Sequence, residues 1–404
     1  MLNKTYQLYV GAFSGLSKDV WLLSLVTLIN RSGAMVVPFL TIYLTSQLGF
    51  TLTQAGFVMS VFGTGSLLGT LIGGKLTDRF GYYPVQFWTL LLSGVLFFFL
   101  MRAHSFPSMC LSVFVLSLVA EAFRPANMAA IRAYSKYENR TRSVTLMRLA
   151  INLGFVVGPA AGGFLAATMG YSWIFIIDGL TCIAAAFLLI LLLKNKPIHE
   201  EESNAPAGSG KESPLQDRIY LMFLPTVVLT ATAFMQLFST VPVYLKTVIG
   251  IDDGHIGLIM ALSGIIIVLF EMPVIYALEK NENRLQLIGW GALLIGASYL
   301  VILLGGAWAG VGFAYITVVT FGEIINFPFA NSYAIDRTSP KNVGVYMSFY
   351  SMSFSLAFII APSLGMFMAS HFGYEKLWLV CALLCAISFL CLYFLKKIDT
   401  KSTI

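Results

Sequence analysis

Charge is scarce in this 404-residue chain: Asp, Glu, Lys and Arg make up 11% of it, where a soluble domain carries roughly 25%. Histidine is scarcer still, with four in all (His104, His199, His255 and His371). They fall in loops or at the ends of apolar runs, so no imidazole set can gather round a metal or haem at depth. The five cysteines lie inside apolar runs without metal-ligand spacing, and no disulfide framework is indicated. No G-x-x-x-x-G-K-[ST] loop is present, which removes ATP as a direct energy source through that fold. No Lys or His inside an apolar run stands ready to activate a nucleophile. Neither an enzyme nor any cofactor is expected. The net charge of +6 is spread over short loops rather than gathered in a patch, so nucleic acid is not an expected partner.

What the chain does have is apolar length. Hydrophobic residues make up 58% of it and the mean hydropathy is +0.82, more than a water-soluble fold could bury. Runs long enough to cross a ~30 Å hydrocarbon core as helix centre on 19–46, 54–76, 85–102, 107–132, 144–168 and 172–193. Six more centre on 219–247, 255–278, 285–304, 309–334, 344–369 and 375–395. Between the two sets lies the one long polar stretch, rich in Pro, Gly, Ser and charge, which reads as a flexible linker. The expected organisation is therefore a six-helix bundle over 1–193, a linker over 194–218 and a second six-helix bundle over 219–404. Outer loops carry only Arg102, Lys246 and Lys376, while Arg31, Arg124 and Arg148 lie within spans and the other Lys and Arg fall on the opposite side. That bias predicts a multi-pass cell-membrane protein, a bacterial inner membrane being expected, with both termini in the cytoplasm.

The halves repeat one another. Glu121-Ala-Phe-Arg-Pro125-Ala126-Asn127 in span 4 matches Glu323-Ile-Ile-Asn-Phe-Pro328-Phe-Ala330-Asn331 in span 10. Gly158-Pro159 in span 5 matches Ala361-Pro362 in span 11, Gly56 matches Gly257, and Asp78 after span 2 matches Glu279 after span 8. Two like-oriented halves imply a pseudo-two-fold axis along the membrane normal, with a solute site near the midplane of their interface.

The loop Gly74-Lys75-Leu76-Thr77-Asp78-Arg79-Phe80-Gly81 resembles the G-x-L-a-D-r-x-G signature of the major facilitator superfamily. Gly154-Phe-Val-Val-Gly158-Pro159-Ala-Ala-Gly162-Gly163 resembles a span 5 motif of its twelve-span drug:proton antiporters. The sequence departs from that branch at Val113, where an Arg is usual. The resemblance implies an all-α integral membrane fold of twelve helices in two pseudo-symmetric six-helix bundles. It further implies alternating access, with spans 1, 4, 7 and 10 lining a central cavity. Asp78 and Arg79, with Gly74 and Gly81, would form a cytoplasmic gate whose carboxylate docks near the start of span 11, where a helix N-terminus is partly positive. Glu279 and Arg284 would be its weaker repeat. Gly154, Gly158, Gly162 and Gly163 permit close helix packing, and Pro159 a bend.

Ionisable groups inside spans are the remaining signal, because a charge at mid-bilayer costs ~2.5–3.5 kcal/mol or more. Glu323, Glu121 and Glu271 are the expected proton-coupling groups. Arg31 and Arg124, with the neutral Asn30, Asn127, Gln236 and Asn326, are the expected substrate contacts. Glu121 and Arg124 sit three apart on one helix face, where mutual neutralisation and a protonation switch are both open readings. An Arg on span 1, a cation on span 4 and a Glu on span 10 also resemble proton-coupled oligopeptide transporters. Their E-x-x-E-R motif is replaced here by Leu-Ile-Asn30-Arg31. The expected partners are a small-molecule substrate, protons and the lipid bilayer, for a chain acting as a monomer. Efflux of an amphiphile by proton antiport is the first expectation, proton-coupled uptake of a zwitterion such as a small peptide the second. A non-transporting membrane sensor or scaffold is the alternative of another class.

Overall fold

The computed structural model describes residues 15–135, 140–196, 214–278, 283–306, 308, 310–337 and 343–402. Among these the chain is helical, and twelve helical segments are long and apolar enough to cross a membrane. In order they are Lys18–Gln47, Leu52–Phe80, Tyr82–Met101, Phe106–Tyr134, Leu146–Thr168 and Tyr171–Leu192. After the linker come Arg218–Thr247, Asp253–Ile275, Arg284–Gly305, Val311–Asp336, Tyr346–Phe372 and Tyr374–Ile398. We number them spans 1 to 12. Connections are tight. Gly81, at φ +84°, makes the turn from span 2 into span 3, a backbone state only glycine adopts without strain.

The sequence repeat reappears as repeated packing. Gly94 of span 3 meets Gly179 and Ile183 of span 6, while Gly296 of span 9 meets Ala382 and Cys385 of span 12. Each glycine removes the side chain that would hold two helices apart, the usual route to close association where lipid offers no hydrophobic drive.

By packing, the described residues form two compact units. The first holds the chain up to Val36 together with Gly65 to the linker; the second holds Val37–Thr64 together with everything after the linker. The division therefore runs through spans 1 and 2 instead of falling at the linker alone. In the first unit a core gathers Val20, Leu23, Phe123, Ile131, Met147 and Leu189. In the second, Tyr220, Phe223, Ile288, Tyr333, Tyr346 and Leu392 do the same.

Spans 1 and 7 are broken helices, which apolar run-length alone does not reveal. Span 1 is helical over Lys18–Ser32, opens at Gly33 and resumes at Val36–Ile42 before a π-helical turn, Tyr43–Gln47. Its restart is capped from span 6, where the Asp178 carboxylate, 2% exposed, accepts the amides of Met35 (3.1 Å) and Val36 (2.9 Å). Span 7 runs Arg218–Phe234, tightens into a 3₁₀ turn at Met235–Phe238 and restarts at Thr240–Thr247. Its break is held by Gln236, whose Nε2 donates to Ala361 O (2.8 Å) and whose Oε1 accepts from the hydroxyls of Thr240 and Ser239. In both spans, side chains replace the backbone bonds that the break removes, as a hydrocarbon environment requires.

Candidate functional site

In the first unit the expected charged residues come together. Arg31 ends the first helix of span 1. Gly154 of span 5 packs directly on its backbone, so closely that a methyl group there would lie 2.8 Å from the Arg31 carbonyl carbon. On span 4, Arg124 Nε stands 3.3 Å from Glu121 Oε2. Span 4 is itself held close to span 2, because added methyls on Gly65, Gly69 or Gly73 would strike the backbone of Phe114, Leu118 or Ala122. Arg31 lies within electrostatic range of Glu121, Arg124 and Cys182, and Asn30 Nδ2 donates to Cys182 Sγ at 3.3 Å.

This group is incompletely satisfied. Arg31 Nε and Glu121 Oε2 are buried and have no hydrogen-bond partner among the described residues. The Glu121–Arg124 contact is an ion pair without hydrogen-bond alignment. Buried polar atoms are nearly always paired, so two such orphans of opposite character in one cluster mark it as built to meet something polar. Arg124 is exposed, its side chain 61% accessible against 14% for Glu121. The carboxylate is thus fixed in the packing while the guanidinium is free to reorient.

In the second unit Glu323 sits midway along span 10, half-buried, and the ionisable group in its electrostatic range is another carboxylate, Glu271 of span 8. Among the described residues, Glu323 has no ion-pair or hydrogen-bond partner.

Three of the four neutral residues expected beside these groups are otherwise employed. Asn127 Oδ1 accepts from Gln86 Nε2 (3.0 Å) and its amide donates to Thr27 Oγ1 (3.4 Å). Asn326 Nδ2 donates to Ile288 O at 2.7 Å, and Gln236 braces span 7. All three are under 5% exposed, and they stitch helices together instead of offering open polar groups.

At the linker-side end of the first unit, Gly74, Asp78 and Gly81 line a polar cavity of about 720 Å³ with Thr77, Tyr82, Arg132 and Lys196. Arg79 turns away from it, its guanidinium 5.2 Å from the centre of the Phe80 ring. Glu279 lies outside the described residues. Arg284, expected to act with it, pairs with Asp336 and donates to Ser332 Oγ (2.8 Å). That carboxylate belongs to the last residue of span 10. Gly158, Pro159, Gly162 and Gly163 are buried within span 5.

Several residues were not singled out in the sequence. Asp217 caps span 7 by accepting from Tyr220 N (3.2 Å) and takes a side-on bidentate pair from Arg337, whose Nε and Nη2 donate to its two oxygens at 2.7 and 2.8 Å. Ser60 of span 2 bonds Ser363 Oγ (2.7 Å) and Ile359 O on span 11, beside Gly56 packed on Pro362. Tyr82, Tyr83 and Tyr134 donate to the carbonyls of Lys196, Leu193 and Lys194, each at 2.9 Å. The Asp217 carboxylate before an apolar run was a legible cap signal; the others depend on tertiary neighbours.

The sequence profile of the Major Facilitator Superfamily matches residues 20–346 and 223–403. The chain is 25% identical over 382 residues to a Na(+), Li(+), K(+)/H(+) antiporter of Planococcus maritimus, covering 85% of this chain and 88% of that one. It is 26% identical over 300 residues to the quinolone resistance protein NorA of Staphylococcus aureus, covering 72% and 74%. In fold it resembles a POT family transporter solved in complex with 5-aminolevulinic acid, with a TM-score of 0.78 at 14% identity, covering 94% of this chain and 96% of that one. With the matched profile spanning nearly its whole length and twelve helices among the described residues long and apolar enough to cross a membrane, the chain belongs to the Major Facilitator Superfamily of membrane transporters.

Proposed function

We propose that this transporter is a proton-coupled antiporter exporting amphiphilic organic compounds, with Glu323 as the principal proton carrier. The observation that carries the proposal is Glu323 itself. A carboxylate inside a span needs a counter-charge or a proton to be tolerated there, and its electrostatic neighbour is Glu271, a second acid. A proton is the neutralising species that Glu323 can take and give up there. The Arg31–Glu121–Arg124 group supplies the substrate contacts: Glu121 holds a cationic or hydrogen-bonding group, and Arg124 is released to the solute when Glu121 is protonated. Export by exchange is supported by what two relatives are named for, antiport in one and quinolone resistance in the other.

The mixed charges of that group also favour a second reading, proton-coupled uptake of a zwitterionic solute. Reconstitution into liposomes with an acidic interior separates the two. An antiporter accumulates a lipophilic fluorescent solute in the lumen as protons leave. Outward movement of solute with the protons supports uptake by symport, and solute movement indifferent to the gradient contradicts both readings.

A further inference from the structure

Span 2 ends with its charges sorted onto two faces. Asp78 lines the polar cavity, whereas Arg79 lies over the Phe80 ring at 5.2 Å. That ring forms the mouth of a different feature, an apolar groove of about 460 Å³ among spans 2, 3 and 4. Ile72, Leu76 and Phe80 line one wall at successive helical turns, Trp88 the second and Leu118 the third. The groove opens outward: Ile72, Phe80 and Trp88 are 40%, 58% and 55% exposed. Lys75 stands one turn before Arg79 on the same stripe of span 2, and both are exposed. Neither has a carboxylate partner among the described residues.

We infer that this groove is a binding site for one anionic phospholipid of the adjacent leaflet. One acyl chain lies along Ile72, Leu76, Trp88 and Leu118, and the phosphate is held by Arg79 and Lys75. The apolar lining alone would accept any lipid chain. What selects the headgroup is the charge at the mouth, since a guanidinium binds phosphate through paired N–H donors and basic clefts between membrane helices recognise acidic headgroups. The Phe80 ring fixes where the guanidinium stands, by a cation–π contact. Because Arg79 and Asp78 are adjacent on one helix end, a lipid seated here holds that end of span 2 with Asp78 turned to the polar cavity.

Trp88 makes the site readable. The full chain is prepared with Trp21, Trp173, Trp290 and Trp308 replaced by Phe, leaving Trp88 as the bilayer-facing indole and the buried Trp378 (1% exposed) as unquenched background. In phosphatidylcholine vesicles, emission is quenched with brominated phosphatidylglycerol or with brominated phosphatidylcholine. The site predicts tighter association of the glycerol lipid by about fivefold at low salt, falling as salt screens the mouth. Arg79→Gln with Lys75→Gln brings the ratio to one, and Arg79→Lys keeps most of it. A matched chain retaining Trp290, which occupies the corresponding place in the repeat and packs on Phe389, serves as the folding control and shows no preference in either background. Equal quenching of Trp88 by the two lipids, or a preference that survives the double Gln variant, overturns the site.

Discussion

Adding one methyl to Gly154 tests whether the glycine motif of span 5 exists to seat Arg31. A Cβ at Gly154 would lie 2.8 Å from the Arg31 carbonyl carbon, 3.1 Å from Ser32 N and closer still to Arg31 Cβ, where ordinary contacts begin at 3.4 Å. The obstacles are largely backbone, so span 1 itself must shift. Overpacking of this kind costs about 1–3 kcal/mol, partly offset by the ~0.5–1 kcal/mol that Ala gains over Gly in a helix. A net loss of about 1–2 kcal/mol follows for Gly154→Ala. At Gly158 the nearest atom to such a methyl is Ala34 O at 3.1 Å, and at Gly74 nothing lies within 4 Å. Gly158→Ala should therefore be close to neutral, and Gly74→Ala should stabilise by about 0.5–1 kcal/mol through helix propensity alone. Thermal unfolding in detergent should rank the variants Gly74→Ala above parent, Gly158→Ala near parent and Gly154→Ala below. Substrate affinity should fall with Gly154→Ala, since the shift moves Arg31 relative to Glu121. Equal behaviour of Gly154→Ala and Gly74→Ala would refute the idea that this motif positions the site.

Three further perturbations follow from the geometry. Asp217→Asn keeps a competent cap for span 7 but takes the carboxylate charge away from the Arg337 guanidinium, whose side chain is 18% exposed; a loss of about 3 kcal/mol is expected. Adding Arg337→Met should recover most of it in the same unfolding assay, and no recovery would mean the pair is not the source of the loss. Asp178→Asn presents an amide to one of the two backbone N–H groups that restart span 1 and should cost about 1.5–3 kcal/mol, seen as lowered melting and faster hydrogen exchange at Met35 and Val36. With Ser60 and Ser363 hydroxyls 2.7 Å apart, cysteines at both positions should cross-link on mild oxidation and arrest transport until reduced. Transport that continues at full rate in the cross-linked protein would show that spans 2 and 11 need not separate at Ser60 and Ser363 during the cycle.

Much of the architecture was readable from residue order, because crossing a bilayer imposes a length and a hydropathy that few other folds share. Repeated pairs such as Pro159 and Pro362, and the loop from Gly74 to Gly81, carried the family. Neighbours were harder. In lipid every apolar face is already satisfied, so a hydrophobic run does not declare which helix it touches. Nothing in the order of residues puts Ser60 against Ser363, or groups Val37–Thr64 with the chain beyond the linker. The breaks in spans 1 and 7 were hidden for a related reason: Gly33 is an ordinary small residue of a membrane helix until Asp178 and the amides of Met35 and Val36 are seen together. Within the candidate site, charged residues were legible because their placement is costly, which flagged Arg31, Glu121, Arg124 and Glu323. Neutral amides carry no such penalty signature. Asn127, Gln236 and Asn326 looked like open polar contacts and proved to be used in packing.

Whether protons pass through Glu323 can be measured directly. A pH-sensitive dye enclosed in liposomes bearing the purified transporter reports luminal proton movement when an amphiphilic solute is added outside. The account predicts that solute entry drives proton exit in the parent and that Glu323→Gln abolishes the proton signal while the protein still binds solute and melts at the parent temperature. Undiminished, solute-driven proton movement in Glu323→Gln would contradict it.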